Sequence, residues 1–184
     1  GGWIMLNKIL GGIIGFIALV FALGFVLPDR AHLEREIIIE APAEEVYALV
    51  SDFSAWEEWS PWAKMDPQAE YELTGAGVGQ TMVWHSDHPN VGDGKQEIIA
   101  LAEPGHVVTR LNFGPMGVAD AAFTLTPITG DRTKVVWSFD SNMREGTPTH
   151  LKPVLTYMGY VMGPMLGPVY DEGLQNLKQA AEAD

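Results

Sequence analysis

The side chains best suited to chemistry are few and scattered. His85, Asp87 and His88 come nearest to a metal-ligand group, two imidazoles and a carboxylate within one short stretch. They run straight into Pro89-Asn90, a turn pair, and no further ligand follows at zinc-type spacing. The group therefore reads as a polar surface turn, and no metal is expected. The sequence has no cysteine, which removes thiolate ligands, disulfides and cysteine nucleophiles. It also lacks a nucleophile elbow, a phosphate-cradling glycine loop and a zincin pattern.

A general acid or base inside a cavity would need a titratable group on an inward strand position. On Val107-Thr109-Leu111-Phe113 the alternate positions are Val108, Arg110 and Asn112, so Arg110 should point to solvent. On Val135-Trp137-Phe139 the alternates Lys134, Ser138 and Asp140 should face out. The inward set is then almost wholly apolar, which suits binding or plain packing better than acid–base catalysis. Trp84, Phe113, Phe123, Trp137, Met158 and Met162 could line an apolar pocket or simply fill a core, since methionine adapts to irregular gaps. Trp59 and Trp62, with Trp56, either close one end of that pocket or are structural. No cofactor is expected.

The elements that position these residues follow from hydrophobic period and turn chemistry. His32–Glu40 is a β-branched strand. Pro42 and the acidic pair Glu44-Glu45 open a helix whose apolar stripe is Val46, Leu49, Val50 and Phe53. Six further strand-like runs follow, Glu70–Leu73, Gln80–His85, Lys95–Glu103, His106–Phe113, Val118–Pro127 and Lys134–Asp140, on links short enough to force antiparallel pairing. Helical sequence closes the chain from about Leu151 to Ala183, with Gly163-Pro164 and Gly167-Pro168 expected to kink or split it. The sheet must bury one face, and the terminal helix is the only large element available to cover it.

This order and several local motifs resemble the START-like superfamily (SRPBCC, polyketide-cyclase/dehydrase-like). Glu36–Tyr47 is similar to its opening strand and helix, and Asp52-Phe53-Ser54-Ala55-Trp56-Glu57-Glu58-Trp59-Ser60-Pro61-Trp62 to its tryptophan segment. Gly77-Val78-Gly79, Gly92-Asp93-Gly94, Phe123–Pro127 and Thr133–Trp137 fall where the superfamily has turns and late strands, and Gly173–Lys178 resembles its closing helix. The resemblance implies an α+β helix-grip fold, a curved antiparallel sheet around a long C-terminal helix. It also implies an apolar cavity that binds hydrophobic small molecules in many members.

The N-terminus is different in kind. Ile9–Leu27 is 19 residues without a charge, about 28 Å of helix and close to the hydrocarbon thickness of a bilayer. Lys8 bounds it on one side and Pro28-Asp29-Arg30 on the other, and Trp3 could anchor at the interface. A cleavable signal peptide, with Val20-Phe21-Ala22 as its cleavage site, is the competing reading, but the apolar run is long for a signal core. The organisation expected is residues 1–30 as a transmembrane anchor and 31–184 as the helix-grip domain. Gly11, Gly15, Ala18 and Ala22, at spacings of 4, 3 and 4, place small side chains on one helical face and suit close approach by another membrane helix, from a second copy or another subunit. The domain is expected on the outer side of a bacterial-type cytoplasmic membrane.

Charge excludes one class of partner. Lys8 is the only charged residue before Asp29, so the remainder carries 10 basic and 24 acidic residues, a net charge of −14. Such a surface repels nucleic acid and anionic headgroups. The expected function is a membrane-anchored, non-enzymatic binding domain for a lipid, quinone or pigment-like molecule. The alternatives are an accessory subunit of a larger membrane complex and, behind both, a cyclase- or hydrolase-like enzyme.

Overall fold

A computed structural model describes residues 2–114, 117–142 and 148–183. Helix α1 (Gly2–Leu23) is followed by strand β1 (Arg30–Ile39), helix α2 (Ala43–Val50), a 3-10 turn (Phe53–Glu58) and the short helix α3 (Pro61–Met65). Six strands come next: β2 (Glu70–Thr74), β3 (Thr81–His85), β4 (Gly94–Ala102), β5 (His106–Asn112), β6 (Val118–Thr129) and β7 (Arg132–Asn142). A 3-10 turn (Thr149–Leu151) then leads into α4 (Lys152–Ala181). The seven strands form one antiparallel sheet in the order β1-β7-β6-β5-β4-β3-β2. The fold is the α+β helix grip that the sequence pattern predicts.

The sheet curves because every second side chain on its inner face is apolar and must reach a helix, and because bulges interrupt the register at Ile98/Ala100 and Pro127/Thr129. The inner row is Ala31, Leu33 and Ile39 on β1, Ile98 on β4, Val107 on β5, Phe123 and Leu125 on β6, and Val135, Trp137 and Phe139 on β7, all buried. Tyr170, Leu174, Leu177 and Ala181 of α4 press against that row. Arg110 and Asp140 lie on the outer face: Arg110 Nε and Nη2 donate to the two Asp120 carboxylate oxygens at 2.7 and 2.8 Å, and His32 sits 2.7 Å from Asp140. Lys134 pairs with Glu36 at 2.6 Å.

Two expectations are corrected. Helix α4, expected to kink or split at its Gly-Pro pairs, is not split; it runs 30 residues with Pro164 and Pro168 inside it. Proline crowds the Cβ of the residue before it, and here that residue is a glycine each time, so the helical backbone persists through both. Helix α1 also starts before the uncharged run and ends at Leu23, with Gly24–Leu27 forming a turn. The side chain of Trp3 lies outside the described residues.

The antiparallel register fixes which ends meet. Arg30 pairs with Asn142, Asn112 with Val118 and Trp84 with Gly94. The β3–β4 and β5–β6 connections and the start of α4 therefore share one end of the sheet with the point where the chain leaves α1. At the opposite end the Glu40 backbone N–H donates to Glu182 Oε1 at 2.6 Å, Lys178 donates to the Ile38 carbonyl at 3.0 Å, and Arg132 pairs with Glu40 at 3.0 Å.

Candidate functional site

The middle of the grip is an aromatic stack. Trp137 projects from β7 and lies between Phe123 of β6 (4.9 Å between centroids, 21° between planes) and Tyr170 of α4 (3.9 Å, 18°). Trp59 meets both Phe123 and Trp137 edge-on at 5.7 and 5.6 Å, and Trp62 meets Trp137 and Tyr170 edge-on at 5.9 and 6.2 Å. Ring edges against ring faces is the arrangement that aromatic quadrupoles favour. Trp59, Trp62, Phe123 and Trp137, expected to line a pocket, are brought together, and they occupy the space between sheet and helix with one another. Gly173 permits this: a Cβ there would lie 2.7 Å from the Trp137 ring and 3.1 Å from Pro61.

The tryptophan segment is held over the stack by a polar clamp. Asp52 accepts from the Ser54 backbone N–H at 2.8 Å and from the Gln80 amide at 2.8 Å, while Gln80 Oε1 accepts from the Phe53 N–H at 2.9 Å. The Gln80 amide first, and the Ser54 donors next, hold the Asp52 carboxyl below its ordinary value. Trp56 and Trp59 donate their indole N–H groups to the carbonyls of Val50 and Leu49. Trp137 does not: its Nε1 is buried without a partner, as is the Asn176 side-chain nitrogen.

The remaining expected residues separate. Trp84 and Phe113 meet edge-on at 6.5 Å near the loop end of the sheet, with Gln96 and Thr109 buried on the same face and bonded to each other at 2.8 Å. Met162 packs against the core from α4. Met158 does not line the grip; it is 46 % exposed on the outer side of α4, because it falls in the helical row of Val154 and Val161 rather than the row of Tyr170 and Leu174. His85 lies 3.6 Å from Asp93, and among the described residues no three potential metal ligands converge.

Besides Gln96, the inward polar groups that escaped the sequence reading include Arg35 and Tyr170. Arg35 stands opposite Trp137 in the β1–β7 register, on the apolar row of Leu33 and Ile37. It donates to the Glu34 carbonyl, pairs with Asp171 at 3.2 Å and lies against Gly167, where a Cβ would be 2.4 Å from its guanidinium. Tyr170 is 2 % exposed, and burial, aided by the negative charge of Asp140, pushes its phenol well above the usual range. The two-residue spacing of Leu33, Arg35 and Ile37 was the available signal for the first.

The model of the polyketide cyclase / dehydrase and lipid transport family matches residues 30–182. The chain belongs to that family. Among solved structures it is similar to the Zhui aromatase/cyclase from Streptomyces sp. R1128 (17 % identity, 83 % of this chain and 94 % of that one, TM-score 0.61). It is also similar to a truncated norcoclaurine synthase from Thalictrum flavum (14 %, 84 % and 95 %, 0.61) and to a solution structure from Thermobifida fusca (22 %, 83 % and 93 %, 0.58). At these identities the likeness is one of fold. No curated relative matches the chain.

The family's ligand-binding fold thus accounts for everything from β1 onward, and α1 precedes it. Along α1 the apolar side chains from Met5 to Leu23 are exposed almost throughout. The helix meets α4 where Phe16, Ile17, Val20 and Phe21 form an open apolar groove of about 240 Å³ with Pro153, Val154 and Tyr157. Tyr157 donates its hydroxyl to the Val20 carbonyl at 2.6 Å, and a Cβ on Gly24 would lie 2.6 Å from that of Pro153.

Proposed function

We propose that this family member is a non-enzymatic binding domain for a hydrophobic small molecule of the lipid, quinone or pigment kind, tethered to a membrane by α1. The observation that carries the tether is that α1 is long enough to span a bilayer and, from Ile9 onward, apolar on every side, yet leaves those side chains uncovered, a state that water penalises at about 25 cal/mol per Å². Binding is supported by the family and by an inner face whose aromatic side chains offer broad apolar contact. The central stack is closed by its own rings, so the reading places the ligand at the loop end, against Trp84, Phe113 and Met162. Native mass spectrometry of the full chain extracted from membranes tests this. The expected result is an apolar molecule retained by the wild type and lost with Trp84→Ala and Phe113→Ala together. Retention of nothing by the wild type, with the chain folded, would reject it.

A second reading, an accessory subunit of a membrane complex, draws on the geometry of α1. At 100° per residue, the face of Gly11, Gly15, Ala18 and Ala22 is turned roughly 150° away from the side of Ile17, Val20 and Gly24 that meets α4. A Cβ at Gly11 or Gly15 would meet nothing within 4 Å. That face is open to another helix, and small residues favour close packing in lipid. Gly15→Leu with Ala18→Leu should leave membrane insertion intact and reduce crosslinking to a partner helix. Unchanged crosslinking would leave α1 as a plain tether.

A further inference from the structure

The first half of α4 has an exposed surface unlike the rest of the molecule. From Pro153 to Tyr170 the helix carries no charged residue, in a chain with 24 acidic ones. Its outward row is Leu151, Val154, Met158, Val161 and Met165, each 43–71 % exposed. The spacings of 3, 4, 3 and 4 draw a continuous apolar stripe along one side of the helix. The opposite row, with Thr156, Gly167 and Tyr170, is already buried on the domain. Large apolar side chains standing singly on a surface need no explanation, but five in register do.

What covers this stripe follows from where α1 lies. The first turns of α4 pack on the last turns of α1, through the Tyr157–Val20 hydrogen bond, the Gly24–Pro153 contact and the groove that reaches back to Phe16 and Ile17. At 1.5 Å per residue, Met5–Leu23 spans about 28 Å; with Lys8 in its first turn snorkelling to the opposite interface, Leu23 ends level with the near hydrocarbon boundary. Val20 is then about 4.5 Å, and Ile17 about 9 Å, inside that boundary, measured along the helix. Helices that lie in a membrane surface sink their apolar face by about 5–10 Å. Residues 153–157 therefore stand at the depth such a helix occupies. Tyr157 and Tyr160 supply the aromatic side chains found at that level, and Lys152 is the only charge on these turns. A second copy would also bury the stripe, but nothing in the fold brings one there, whereas α1 brings lipid to it.

Accepting the anchoring of α1 proposed above, we infer that the segment from Leu151 through the first half of α4, to Met165, lies in the interface of the same bilayer, with its outer stripe in lipid. The loop end of the grip then opens onto the membrane, and an apolar ligand passes between bilayer and domain without crossing water. Met162, partly buried against the core, borders the exposed row of Met158 and Val161, so on this inference one helix supplies both part of the site's wall and the contact with the membrane.

The absence of native cysteine makes the test direct. Single cysteines replace Met158, Val161, Ile17, Ile128 or Glu172 in the full chain. Each is spin-labelled and reconstituted at one copy per phosphatidylcholine nanodisc, and collision rates with oxygen and with a neutral nickel complex are compared. Oxygen collisions should dominate at 158 and 161 as at 17, with the ratio reversed at 128 and 172. A label at 17 in lipid with labels at 158 and 161 in water would overturn the inference and leave the anchor standing. Poor access to both reagents at 158 and 161 would overturn it in favour of protein contact. A label at 17 in water would remove the anchor itself, and the inference with it.

Discussion

Trp137→Ala tests whether the grip is closed by its own rings. The side chain is 1 % exposed, sandwiched between Phe123 and Tyr170, and met edge-on by Trp59 and Trp62. Removing a buried tryptophan to alanine costs about 3–5 kcal/mol, and four ring contacts place this one at the upper end. Trp137→Phe should behave quite differently. The indole N–H is buried without an acceptor, and leaving such a donor unmade costs about 1–3 kcal/mol. Phenylalanine keeps a ring in the stack and removes that donor, so the gain offsets much of the lost volume and the net change should stay within about 1 kcal/mol. Urea unfolding of the full chain in detergent, followed by far-ultraviolet circular dichroism, measures both. A loss below about 1 kcal/mol for Trp137→Ala would refute the packed stack. A Trp137→Phe loss as large as that of Trp137→Ala would refute the unpaired N–H.

Gly173→Ala should destabilise by about 1–3 kcal/mol in the same assay, since its Cβ would meet the rigid rings of Trp137 and Pro61; a neutral result would mean the stack is looser than its distances. Gly167→Ala should cost less, because the atom it meets is the far end of the Arg35 side chain. Acid should weaken the fold: Asp52, Asp66 and Glu182 all titrate lower folded than unfolded, through bonds first from Gln80, Ser86 and Lys178 respectively. Their contribution is complete above the unfolded carboxylate range and is lost as pH falls through the folded values, so urea midpoints should drop below about pH 4. Asp52→Asn should flatten part of that fall, and an equal slope in wild type and variant would contradict the clamp.

All seven strands were legible in the sequence, because each alternates apolar and polar side chains between short turns. The position of Arg110, Lys134 and Asp140 on the outer face followed from the same alternation. The limits were physical. Arg35 occupies an apolar row, and alternation alone does not reveal that its charge is carried outward to Asp171 over a glycine of α4. The phase of α4 was blurred by its glycines and prolines, so Met158 was placed with Met162; the two are neighbours one turn apart at the edge of the contact, where Met162 is partly buried against the core and Met158 is exposed. Whether aromatic side chains line a void or fill it depends on ring angles that no sequence pattern encodes, and Trp137 with Tyr170 settles that locally by stacking.

The two ends of the grip differ in chemistry, and the topology makes that difference useful. Strand β1 leaves α1 and runs away from it, so every strand that returns does so toward α1. The far end collects the charged closures, with Glu182 on the Glu40 backbone, Lys178 on Ile38 and Arg132 on Glu40. The near end has Trp84, Phe113 and the uncharged half of α4 instead. An apolar ligand would meet Trp84, Phe113 and the apolar turns of α4 there, and the acidic outer surface, with its net repulsion of anionic headgroups, would keep the rest of the domain off the bilayer. On the proposed reading, anchoring and binding are therefore one arrangement: the helix that holds the domain at the membrane also sets which end of the grip faces it.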